Sequence, residues 1–111
     1  MNSPKEAHLR KLTIAAVLAV ALTMAFSGVA SAHTLRYPTA KRLAVKLAEK
    51  HAAENSVDRW RIFGAERIDA HEIVWVYNVD YSDGTLCDAE LVVRMFKTRV
   101  KAYFRDTHCE R

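Results

Sequence analysis

Hydrophobic and polar residues keep three rhythms along the chain. An uncharged run, LTIAAVLAVALTMAF, spans residues 12–26; a spacing of three and four follows Pro38; from Trp60 onward apolar and polar residues alternate. The second rhythm predicts one amphipathic helix over PTAKRLAVKLAEKHAAEN, residues 38–55. A proline suits the first turn, helix formers fill the middle, and Asn55-Ser56 is a stop. Ala40, Leu43, Ala44, Leu47 and His51 fall on one face, with Lys41, Lys46, Glu49 and Lys50 around the rest. Such a helix packs its leucine stripe against something flat.

The third rhythm supplies the flat partner. Polar clusters at DAHE (69–72), SDG (82–84) and KT (97–98) cut the alternating region into four strands of an antiparallel meander. A three-residue loop Ser82-Asp83-Gly84, with Gly84 in the left-handed conformation, pairs Tyr81 with Thr85, Val79 with Cys87, Tyr77 with Ala89 and Trp75 with Leu91. A two-residue loop Lys97-Thr98 pairs Phe96 with Arg99, Met95 with Val100, Val93 with Ala102 and Leu91 with Phe104. Both registers put Ile73, Trp75, Tyr77, Val79, Ala89, Leu91, Val93, Met95, Val100, Ala102 and Phe104 on one face. Asp80, Asp88, Glu90, Arg94, Arg99, Lys101 and Arg105 take the other. The expected fold is α+β: one N-terminal helix packed on one face of a four-stranded antiparallel meander sheet, a two-layer sandwich.

The first rhythm is an address. Lys5, Arg10 and Lys11 stand against Glu6 ahead of the apolar run, and Ala30-Ser31-Ala32 gives the small residues that a signal peptidase requires. A cut after Ala32 makes residues 1–32 a signal peptide, 33–37 a flexible N-terminus and 38–111 a single domain. The other reading of this segment is a retained anchor: Leu12 to Ala32 is 21 residues, and a spanning helix needs about 20. Cleavage places the protein outside the cytoplasm, secreted or at the cell envelope. Its only expected membrane contact is then through the segment before the cut.

Of 111 residues the cut leaves 79, enough for one domain. A core that small supplies no more than about 3–5 kcal/mol, so a covalent staple is expected. The 17 basic and 13 acidic side chains fall to 14 and 12 in the exported part. So small a surplus does not argue for nucleic acid, and none is expected as partner.

An alanine-rich signal, one helix, a meander with DGTLC at a hairpin and a terminal THCER resemble the small uncharacterised exported proteins of high-GC Gram-positive bacteria. The architecture is also similar to cystatin-like and PepSY-like domains, several of which inhibit proteases or other enzymes. The inhibitory loop motifs of those families are absent, so the resemblance implies a fold and only points toward an activity.

Cys87 and Cys109 are the two cysteines, both in the exported part, where thiols oxidise. In the last hairpin paired positions sum to 195, whereas the two cysteine numbers sum to 196, one residue out of register. A bulge near the C-terminus absorbs that difference and lets a Cys87–Cys109 disulfide form. A redox pair is disfavoured by the absence of CxxC spacing.

Catalytic candidates are few. Ser56 and Ser82 sit in no nucleophile elbow, and Gly64 and Gly84 are isolated, so no phosphate loop exists. His51 ends the apolar stripe and reads as a structural histidine near the helix C-terminus. His33, as a new N-terminus, has the amine and imidazole of a copper chelate, but His51, His71 and His108 lack metal spacing, and a flexible terminal residue is expected instead. Reading the acids around Gly84 as a calcium loop puts Val79 at the first ligand position, so Asp83-Gly84 is turn chemistry. No metal, no cofactor and no enzymatic activity are expected.

The outer face of the last hairpin remains. Arg94, Arg99, Lys101 and Arg105 line it, interleaved with Val92, Phe96 and Tyr103. Its bland reading is a solvated face with a Glu90–Arg105 cross-strand pair. Its functional reading is a binding surface made of Arg94, Phe96, Arg99, Lys101, Tyr103 and Arg105. The expected function is a small secreted binding or inhibitory module, monomeric or weakly dimeric, that contacts an extracellular protein through this face or the edge strand Val100 to Asp106. The alternative is a cell-envelope accessory protein that binds an anionic polymer through the same cations.

Overall fold

The structure is a computed structural model that describes residues 22–25 and 34–111. Its elements are β1 (Leu22–Ala25), α1 (Tyr37–Glu54), β2 (Val57–Asp69), β3 (Glu72–Tyr81), β4 (Leu86–Phe96) and β5 (Arg99–Glu110). The strands form one antiparallel sheet in the order β1-β5-β4-β3-β2, and α1 lies across one face. The helix and the four-stranded meander are those expected. The four-residue β1 is an addition: it lies inside the segment assigned to the signal and pairs with Arg99–Ala102 of β5. The rest of residues 1–33, including the cut itself and His33, lies outside the described residues.

Helix α1 begins within one residue of Pro38, as a ring with φ fixed near the helical value allows. It ends where Asn55 Nδ2 donates to the His51 carbonyl at 2.8 Å and Ser56 turns into the left-handed region at φ 50°. The Ser82 amide and hydroxyl then both donate to the Ser56 carbonyl at 2.9 Å, tying the helix exit to the β3–β4 turn. In that turn Gly84 takes φ 89° and Asp83 Oδ1 accepts from the Thr85 amide at 2.9 Å. The carboxylate is turn chemistry, as the failed calcium spacing requires.

Within the stretch 33–37, expected as a flexible N-terminus, Leu35 is anchored, while Thr34 and Arg36 are exposed. Leu35 is fully buried, its amide donates to the Ala70 carbonyl at 2.7 Å, and its own carbonyl accepts from Arg67 Nη2 at 2.6 Å. Leu35 is one leucine more than the helical stripe, and the β2–β3 turn seals the end of the core around it.

The sheet registers agree with the pattern: Val79 opposite Cys87, Trp75 opposite Leu91, Leu91 opposite Phe104 and Phe96 opposite Arg99. All eleven strand residues assigned to the inner face are buried in the core cluster with Leu35, Ala40, Leu43, Ala44, Leu47 and Ala48. The extra residue of the last hairpin is accommodated between Arg105 and His108, where Asp106 adopts φ 53° and the register slips by one. That slip places Cys87 directly opposite Cys109, and the disulfide is formed.

Candidate functional site

Two constellations stand out, one on each face. Beneath the helix, His51 sits between two tyrosines. Its Nδ1 is 2.7 Å from Tyr77 Oη and its Nε2 is 3.0 Å from Tyr81 Oη. Helical spacing delivers His51 to the last inward turn, and the two-residue period of β3 brings both tyrosines to the same face. Tyr77, Tyr81 and Phe104 meet the imidazole edge-on, with centroids 5.5–5.8 Å away. Burial lowers the His51 pKa from 6.5 to about 4, so at neutral pH the ring is uncharged. One ring N–H then donates to one tyrosine, and the other nitrogen accepts from the second. Burial raises both phenols above the ordinary tyrosine range, Tyr77 further through Tyr81 and Tyr81 through Asp83. The ring is neutral, partnered through both nitrogens and buried in the core.

The outer face carries Arg94, Phe96, Arg99, Lys101, Tyr103 and Arg105, the residues that the sequence assigns to a binding surface. Cross-strand pairing sets Arg94 opposite Lys101, Phe96 opposite Arg99, Val92 opposite Tyr103 and Glu90 opposite Arg105, so all six residues share one end of the β4–β5 hairpin. They do not share one electrostatic state. Arg94 Nη1 donates to Glu72 Oε1 at 2.8 Å, and Arg105 Nε donates to Glu90 Oε1 at 2.7 Å with Glu72 Oε2 3.9 Å from its Nη2. The Glu90 hydrogen bond, partly offset by desolvation, raises the Arg105 pKa. The cross-strand pair read as the bland alternative is therefore present, and Glu72 extends it into a four-residue ion lattice.

Val74 and Val92 lie in the row between these ion pairs. They are 8 % and 0 % exposed although they belong to the outer face and stand apart from the helix-side core. Arginine and glutamate stems flank them on both sides, which is how long charged side chains shelter apolar surface. Sequence reasoning passed over Glu72 because it sits in the DAHE cluster read as a turn. Extending the β3 alternation by one residue past Ile73 places it on the outer face beside Arg94.

Arg99 and Lys101 make no ion pair with the described residues. Lys101 Nζ lies 5.8 Å from the Tyr103 ring centroid, Arg94 lies 5.8 Å from that of Phe96, and Phe96 is 46 % exposed. Of the six residues, Phe96, Arg99, Lys101 and Tyr103 thus stand outside the ion lattice.

At the other end of the outer face, Arg61, Asn78, Asp88 and His108 occupy one row across four strands, beside the Arg59–Asp80 ion pair at 3.2 Å. They line a broad, solvent-open hollow. Among the described residues no group of three or more histidine, cysteine, aspartate and glutamate side chains is placed to hold a metal. No family model matches this chain, and no curated protein or solved structure does either.

Proposed function

We propose that the chain is an exported binding or inhibitory module without catalysis of its own, and that it meets an extracellular protein through the open face of its sheet. The observation that carries this reading is that the helix covers one face only, while an exposed Phe96 stands with Arg99, Lys101 and Tyr103 at one end of the other. Aromatic and arginine residues at a desolvatable centre are what protein interfaces use. Export is supported by the basic, apolar and small-residue order of residues 1–32 and by a disulfide compatible with an extracytoplasmic location.

The anionic-polymer reading uses the same face but loses two of its four cations, since Arg94 and Arg105 are occupied by Glu72 and Glu90. A cross-linking experiment separates the two. With a photoreactive residue at position 99, the protein reading expects one extracytoplasmic protein to be captured at low and high salt alike and lost in a Phe96→Ala, Tyr103→Ala variant. The polymer reading expects retention on a polyphosphate column that falls steeply with salt and disappears in Arg99→Ala, Lys101→Ala.

A further inference from the structure

The edge of the sheet at β5 is the place where the structure adds most to the sequence reading. Four residues of the chain's own N-terminal segment are seated there as an antiparallel strand: Leu22 opposite Ala102, Thr23 opposite Lys101, Met24 opposite Val100 and Ala25 opposite Arg99. By register, the chain's own sequence sets leucine and methionine opposite Ala102 and Val100, and uncharged threonine and alanine opposite Lys101 and Arg99. The same four residues lie before Ala32, so the cut that export requires removes them and leaves the backbone groups of Arg99–Ala102 on that side without a strand partner.

Further along, the edge is blunted. The bulge at Asp106, with φ 53°, twists the end of β5, and two charged residues, Arg99 and Lys101, guard the part before it. An edge carrying such charges rejects apolar strands that set bulk or positive charge against them and admits those that do not.

We propose that β5 of the cut protein is an acceptor edge for an extended segment of a partner. That segment adds antiparallel to Arg99–Ala102 with large apolar residues opposite Val100 and Ala102 and a small or acidic residue opposite Lys101. The proposal rests on the export reading, because β1 fills this edge in the uncut chain. Main-chain hydrogen bonds supply the attachment and the alternate positions supply the selectivity, as in other strand-addition interfaces.

The test uses the full chain with a specific protease site placed between Ala25 and Leu35, followed by residue-level amide hydrogen exchange. Only alternate amides of Arg99–Ala102 face away from β4, so these report the edge. The amides of β5 that face β4 report whether the fold persists; every residue of the core cluster lies between Leu35 and Cys109, beyond the cut. The expected result is slow exchange at the edge amides before the cut and at least about tenfold faster exchange after it. A Gly-Ser-flanked Leu-Thr-Met-Ala peptide then restores the protection. Glutamate in place of the peptide threonine binds about two- to fivefold tighter, the size of a favourable cross-strand charge pair, and lysine binds weaker.

Failure of the peptide to restore protection overturns the proposal, and so does a cut chain that dimerises through the same amides, which would make a second copy the occupant. The intact mass of the naturally released protein tests the cut separately. A start at His33 supports an open edge. A start at Met1 leaves β1 in place and overturns the proposal through the export reading alone.

Discussion

The two faces of one sheet bury apolar groups in different ways. On the inner face, β-branched, aliphatic and aromatic residues from β3, β4 and β5 meet the leucine stripe of α1, and both ring nitrogens of buried His51 are satisfied by Tyr77 and Tyr81. On the outer face, no helix among the described residues lies above Val74 and Val92, and the ion pairs among Glu72, Glu90, Arg94 and Arg105 flank them instead. The inner face is held by dispersion and solvent exclusion, which salt and pH barely alter except at one histidine. The outer face is held by charges, which salt screens.

The inner face gives the largest expected effect. Leu47→Ala removes a side chain 1 % exposed at the centre of the stripe and should destabilise by about 2–5 kcal/mol in chemical denaturation. Next is the bridge. Replacing both cysteines by alanine reopens a loop of 23 residues, Cys87 to Cys109, and should cost about 3 kcal/mol with the loss concentrated in β4–β5 exchange protection.

Acid probes the histidine of the inner face. With the folded His51 pKa depressed to about 4 from 6.5, the unfolded chain binds the extra proton first. The stability contributed by the neutral ring is full above pH 6.5 and lost as pH falls toward 4, to a limit of about 3 kcal/mol. In His51→Leu this component of the acid sensitivity should vanish from a pH series of denaturation midpoints.

Glu72→Ala breaks the outer lattice. Glu72 is 7 % exposed and faces Arg94 and Arg105, so its loss should cost about 1–3 kcal/mol, less as salt rises. A destabilisation that does not shrink with salt would erase the contrast between the faces. The smallest effect has the opposite sign. The Thr85 hydroxyl is buried without a hydrogen-bond partner among the described residues, and Thr85→Val should leave stability unchanged or raise it by about 1 kcal/mol.

The helix, the meander and both tight-turn registers were legible because each rests on a short-range rule: a period, a proline, a glycine at positive φ. His51 and Tyr77 were each assigned to the right face, yet a one-dimensional pattern does not say that they touch, since that depends on where α1 crosses β3. Leu35 lay one turn ahead of the helix and had no period to mark it. Glu72 was hidden by its polar neighbours, and β1 by the uncharged run around it, whose pattern reads as a signal and carries no strand alternation. The six outer-face residues were brought together as expected, but Arg94 and Arg105 already have partners, information that belongs to Glu72 on a third strand.

The bridge also changes what a protease can accomplish. The turn at Lys97-Thr98 is exposed, and the Cys87–Cys109 bridge joins the two strands on either side of it. A nick after Lys97 therefore cuts the chain without releasing β5, because that strand stays covalently attached to β4. The nicked protein thus gains only the water of hydrolysis and keeps its strand, and the two pieces part only when the bridge is reduced.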